Sequence, residues 1–149
     1  MSIDKFNSEK YYDPTAYEAL TNIVKKEKME AKKYRPLVYV CSPFSGDIKG
    51  NTEKARLYSK FAVDCGCIPV TPHLFFPQFM NDEDPAERTL AIIMDLILLS
   101  KCTEIWVFGD TISNGMSKEI EKAKRKNMPI RYFTTKCEEV KKNVTANSD

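Results

Sequence analysis

The sequence predicts a three-layer α/β sandwich: a mainly parallel sheet of four to five strands, helices on both faces, and a helix ahead of them at the N-terminus. Three observations carry this. Short apolar runs of about five residues alternate with helical patterns of 12 to 16 residues, the rhythm of right-handed βαβ crossovers. The runs are apolar throughout rather than at every second position, as strands buried on both faces are. Helix starts and stops between them are marked by cap residues, prolines and glycines.

In chain order, Asp13 and Pro14 form a cap-then-proline start for the helix "PTAYEALTNIVKKEKMEAKKYR". Its apolar stripe is narrow (Tyr17, Leu20, Val24, with Ile23 beside it), and Pro36 ends it. "LVYVC" (37–41) is the first strand and "SPFSGDIKG" a turn-rich loop. Asn51 is the expected cap of the next helix, which stops at Gly66. "CIPVT" is the second strand, and the loop "PHLFFPQFMNDED" follows, with Phe75, Phe76 and Phe79 expected in the core or as one wall of a pocket. Asp84 and Pro85 repeat the cap signal before "AERTLAIIMDLILLSK". "EIWVFG" is the third strand, "DTISNG" a loop, "MSKEIEKAKRKN" a helix and "PIRYF" the fourth strand. The expected organisation is an N-terminal helical extension (1–36), an α/β domain (37–133) and a loose polar tail (134–149).

Composition excludes several functions. The 149 residues suit one core-forming domain, and 42% hydrophobic content argues against disorder. With 23 basic against 21 acidic side chains, the net charge of +2 gives no drive toward nucleic acid, and the basic runs are read as solvated helix faces. Five cysteines without a CxxC pair and a single histidine make a metal site unexpected and suit free thiols in a reducing cytoplasm. The longest apolar run, "LAIIMDLILL", is interrupted by Asp95, so no membrane span is expected.

Ligands of parallel sheets sit beyond the carboxyl ends of the strands, which directs attention to four segments. Ser42, Phe44, Ser45, Gly46 and Asp47 follow the first strand, either as a plain turn or as a phosphate- or sugar-facing loop. His73 follows the second strand and is either a hydrogen-bonded structural residue or part of a site. Asp95 has only apolar neighbours from Ala91 to Leu99; it belongs either on an exposed stripe or in a polar cavity. In "SNGMSKE", the small residues Ser113, Gly115 and Ser117 flank Met116 and lead to Glu119. Glu119 shares a helical face with Gly115 and Ala123, whereas Glu121 points elsewhere.

Together, "VYVCSPFSG", "IMDLILLSKCTEIWVF" and "SNGMSKEIEKA" resemble the nucleoside 2-deoxyribosyltransferase superfamily, including its nucleoside 5'-monophosphate N-glycosidase members, over residues 37–133. "SPF-G" and "PHLFFPQF" resemble its bacterial and phage-borne branch. The resemblance implies a flavodoxin-like, Rossmann-like fold and a small nucleoside or nucleotide substrate. It further implies a homo-oligomer and no cofactor. It casts Glu119 as nucleophile and Asp95 as its partner in sugar positioning or proton transfer, with Ser42, Ser45, Ser113 and Ser117 on sugar or phosphate oxygens. Glu121 stands where transferases carry glycine, which implies a narrower pocket. Two further readings stand beside the enzyme: a non-catalytic module binding a nucleotide in the same cleft, and an assembly protein working through the N-terminal helix.

Overall fold

The computed structural model describes residues 14–141. The chain divides into two units, one ending at Tyr34 and the other beginning at Arg35. The first contains helix α1 (Pro14–Lys32). Along α1, Leu20 and Ile23 are exposed while Tyr17 and Val24 are half-buried. The expected Asp13 cap lies outside the described residues.

The second unit runs β1 (Leu37–Cys41), α2 (Ile48–Asp64), β2 (Ile68–Val70), α3 (Pro85–Ser100), β3 (Glu104–Phe108), α4 (Asn114–Arg125), β4 (Ile130–Phe133) and β5 (Glu139–Val140). Two 3₁₀ turns, Pro72–Leu74 and Phe76–Gln78, lie between β2 and α3. The sheet order is β2-β1-β3-β4-β5, with β5 alone antiparallel. This is the flavodoxin-like α/β arrangement the sequence predicts.

Strand β1 shows how the layers form. Successive side chains point to opposite faces. Val38 and Val40 join Trp106, Phe108 and Phe133 beneath Tyr58 and Ala62 of α2. Tyr39 and Cys41 join Ile105 and Val107 beneath Leu99 of α3 and Met116, Ile120 and Ala123 of α4. The order of connection reverses at β1, with β2 on one side and β3 on the other, so a crevice opens beyond the carboxyl ends of β1 and β3.

Two boundaries differ from the sequence reading. Helix α2 begins one turn before Asn51: Asp47 is its cap and accepts from the Gly50 N–H at 3.1 Å. Asn51 instead donates its side-chain amide to the Phe44 and Ser45 carbonyls at 3.1 and 3.0 Å, holding the loop rather than the helix. The tail after Thr134 is not wholly loose either. Glu139 and Val140 pair with Phe133 and Tyr132, and Arg131 clasps the Glu139 carboxylate at 2.8 and 2.9 Å.

Candidate active site

Helix α4 delivers the central acid. Ser113 caps it by accepting from the Met116 N–H at 3.2 Å, and the Met116 sulfur receives the Ser113 N–H at 3.5 Å. That start places Met116, Glu119, Ile120 and Ala123 on the buried face, with Glu121 exposed. Glu119 is only 5% exposed. Tyr39 donates its hydroxyl to Glu119 Oε2 at 2.6 Å, while Oε1 is buried without a partner. Burial pushes the Glu119 carboxyl above its ordinary range; the Tyr39 hydroxyl and the Cys41 thiol pull in the opposite direction. The tyrosine hydroxyl itself is held protonated by burial and by the facing carboxylate, so it acts as a donor.

Asp95 comes from the facing side. It is 8% exposed, so the alternative of an exposed stripe is overturned; Leu90, Ile93 and Ile97 occupy the outward face of α3. Its Oδ1 is buried without a partner. Burial, and then repulsion from Glu119, raise its carboxyl to about 7. Two carboxyl groups lining one partly dry cleft oppose each other's ionisation, and with its carboxyl at about 7, Asp95 can hold a proton near neutrality.

A cleft joins both acids to the loops. Phe44, Ser45, His73, Phe76, Ser113 and Gly115 line it, and Met116 contributes at its floor. The Phe44 and His73 rings, both bordering the cleft, stack on one another at 5.1 Å between centroids. Burial keeps the His73 imidazole below its usual range, only partly offset by its bond to the Ser42 backbone and by Asp82. His73 is therefore a neutral wall residue rather than a cation. A Cβ built on Gly115 meets nothing within 4 Å, so the free space beside it belongs to the cleft. Arg88, Lys118, Asp82 and Glu87 stand around the opening.

Three residues expected at the site lie apart from this lining. Ser42 is fully buried beneath the loop, its hydroxyl unpartnered. Gly46 shapes the turn with φ +92°, a left-handed backbone that glycine adopts freely. Ser117 is exposed, because helical spacing turns it away from the face that carries Glu119. Phe75 and Phe79 are 57% and 62% exposed rather than core. Glu121 does not narrow the cleft. Sequence reasoning passed over Tyr39, although a buried tyrosine in an apolar strand must find a partner for its hydroxyl, and that was the available signal. Phe76 takes the pocket-wall role the sequence allowed it, while Arg88 and Lys118 were also passed over.

The sequence matches the family model described as a domain of unknown function, DUF7768, over residues 36–133. The chain belongs to the DUF7768 family. No curated protein sequence matches it. Among solved structures, this DUF7768 chain is similar to the 2-deoxyribosyltransferase of the psychrotolerant bacterium Bacillus psychrosaccharolyticus. The TM-score is 0.56 and the identity 17%, covering 66% of this chain and 72% of the other. At that identity the likeness is one of fold. No helix among the described residues is long and apolar enough to cross a membrane. Nor do the described residues contain a group of three or more His, Cys, Asp or Glu side chains able to hold a metal.

The chemistry open to this DUF7768 site follows from its two acids. One carboxylate is fixed by a tyrosine hydroxyl with its second oxygen free. The other group, with its carboxyl raised to about 7, can hold a proton near neutrality and lines the same cleft. Such a pair supports nucleophilic attack at one atom and proton delivery to its leaving group.

Proposed function

We propose that this protein cleaves the N-glycosidic bond of a nucleoside or nucleoside 5'-monophosphate, with Glu119 as nucleophile and Asp95 as general acid. The observation that carries this is the Tyr39–Glu119 hydrogen bond at 2.6 Å, which leaves Oε1 buried and unpartnered on a residue that lines the same cleft as Asp95, whose carboxyl is raised to about 7. The fold shared with a 2-deoxyribosyltransferase supports the same reading.

In the first step, Oε1 attacks the anomeric carbon as its bond to the base nitrogen breaks; the bonding electrons leave with the base, which takes the Asp95 proton. Positive character at the anomeric carbon is met by the carboxylate. In the second, Asp95, now ionised, removes a proton from water, and the water oxygen displaces the Glu119 ester. If a second base enters instead, the outcome is transfer. The base lies against Phe44, His73 and Phe76, where stacking suits a flat ring. Ser45 and Ser113 reach the sugar or phosphate oxygens, and the positive end of α4 with Lys118 and Arg88 suits a 5'-phosphate. The protein works in the cytoplasm without a cofactor and as a homo-oligomer, with residues 37–133 carrying the site.

Incubation with a panel of nucleosides and deoxynucleoside monophosphates, followed by chromatography, tests this. Free base is expected from at least one compound, and its release is lost in Glu119→Gln. Tight binding without release, unchanged in Glu119→Gln, would instead mark a non-catalytic nucleotide-binding module.

A further inference from the structure

Helix α3 carries its polar chemistry inward and its apolar side chains outward. Asp95 and Leu99 are buried, while Leu90, Ile93 and Ile97 are 48%, 50% and 53% exposed. From Thr89 to Ser100 the exposed face holds no charge. A helix that is hydrophobic all round belongs in an interior. The outward residues also follow a seven-residue pattern. Leu90 and Ile97 take one seam position, while Ala86, Ile93 and Ser100 take the other.

The flanking positions of that seam are Glu87, Met94 and Lys101, spaced seven residues apart. When two such helices run antiparallel about a two-fold axis, equivalent flanking positions meet. Glu87 then stands opposite Lys101 of the second copy at each end, and Met94 meets its own copy on the axis. Ile93 packs on Ile97 between them. One Glu87 oxygen receives the Asn81 N–H at 3.2 Å, and among the described residues neither Glu87 nor Lys101 makes an ion pair. In a parallel arrangement these flanking positions face those on the other side of the partner's seam, so Lys101 would stand beside Leu96 and Glu87 would find no Lys101 opposite it. Charge thus selects the antiparallel pair, and antiparallel helix dipoles favour it as well.

We propose that the outward face of α3 is the interface of a symmetric dimer, packed antiparallel against α3 of a second copy of this chain. The apolar seam residues Leu90, Ile93 and Ile97 are not among those that line the cleft, while Glu87 at the seam's edge also borders the opening, so the second copy braces the helix bearing Asp95 from beside the mouth. The inference is independent of the enzymatic reading. It places the contact on a helix of the α/β domain rather than on the apolar stripe of α1.

Analytical ultracentrifugation of the full chain and of Ile93→Glu tests the interface. A dimer is expected for the native chain, with dissociation at least ~30-fold stronger in the variant, the loss of one central anchor. Lys101→Glu is expected to weaken the dimer and the pair Glu87→Lys with Lys101→Glu to restore it. Should Ile93→Glu misfold, a photo-crosslinking amino acid at Thr89, on the seam's edge, replaces it, using a mixture of isotope-labelled and unlabelled chains. Crosslinks joining α3 of one copy to α3 of another support the proposal. A monomeric native chain, a dimer unaffected by Ile93→Glu, or crosslinks to residues 14–32 would overturn it.

Discussion

The two faces of the sheet are built to opposite rules, although the same strands supply both. On the α2 face, Val38, Val40, Trp106 and Phe108 form an aromatic-rich core in which Tyr58 and Phe108 stack at 4.2 Å and Phe108 and Phe133 at 5.0 Å. On the α3–α4 face, one residue along β1, the side chains are Tyr39 and Cys41, and beside them stand two buried acids. Both Asp95 and Glu119 have an oxygen without a hydrogen-bond partner there. Each such group costs about 1–3 kcal/mol in a folded protein. One face stores the stability that lets the other hold groups a folding sequence would otherwise avoid.

Substitutions separate the two. Truncating the stacked ring in Phe108→Ala is expected to lower unfolding free energy by about 3–5 kcal/mol, seen in urea denaturation, with the turnover of the remaining folded protein little changed. On the other face the signs reverse. Asp95→Asn should slow base release by about a hundredfold and abolish the decline of kcat/KM above neutral pH.

The stability sign follows from the raised carboxyl. A group whose folded pKa of about 7 exceeds its unfolded value near 3.8 favours folding most below that lower value, and this advantage is lost as pH rises through 7. Above pH 7, Asp95→Asn should therefore melt at least ~4 °C higher than the native chain, by differential scanning fluorimetry across pH 5–9.

Tyr39→Phe removes the donor to Glu119 while keeping the ring. A roughly tenfold loss of kcat is expected, and the low-pH limb of the rate profile should move upward, because the hydroxyl is one of the two groups favouring the Glu119 anion. The smallest effect belongs to Gly115. Glycine costs about 1 kcal/mol relative to alanine inside a helix, and beyond its chain neighbours and its own helix turn nothing lies within 4 Å of an added Cβ. Gly115→Ala is therefore expected to raise stability by up to ~1 kcal/mol. KM should rise, since the methyl enters space kept for substrate. Unchanged KM would show that the ligand does not approach this backbone.

The elements were readable where local chemistry repeats. The "DEDP" start of α3 and the apolar run of β1 carry their signals within a few residues, and both appear as expected. Helix α2 misled because Gly50 looks like part of a loop, while its N–H is the group that Asp47 caps. Strand β5 has only two residues, too few for any period; a long-range clasp between Arg131 and Glu139 accompanies it.

Within the site, Asp95 and Glu119 stood out because acids among apolar or small residues are costly and therefore conspicuous. Tyr39 did not, since a tyrosine in a buried strand looks apolar until the sheet brings residue 119 to it from 80 positions away. Ser42 was overvalued for the converse reason: its place in a promising loop said nothing of its burial.

The central claim is covalent catalysis at Glu119. It is tested most directly by acid-quenching the protein during turnover of a 2-fluoro-sugar nucleoside, which slows the second step, and mapping its peptides by mass spectrometry. A glycosyl adduct is expected on the peptide bearing Glu119, absent in Glu119→Gln. Base release with no adduct, or an adduct on another side chain, would contradict it.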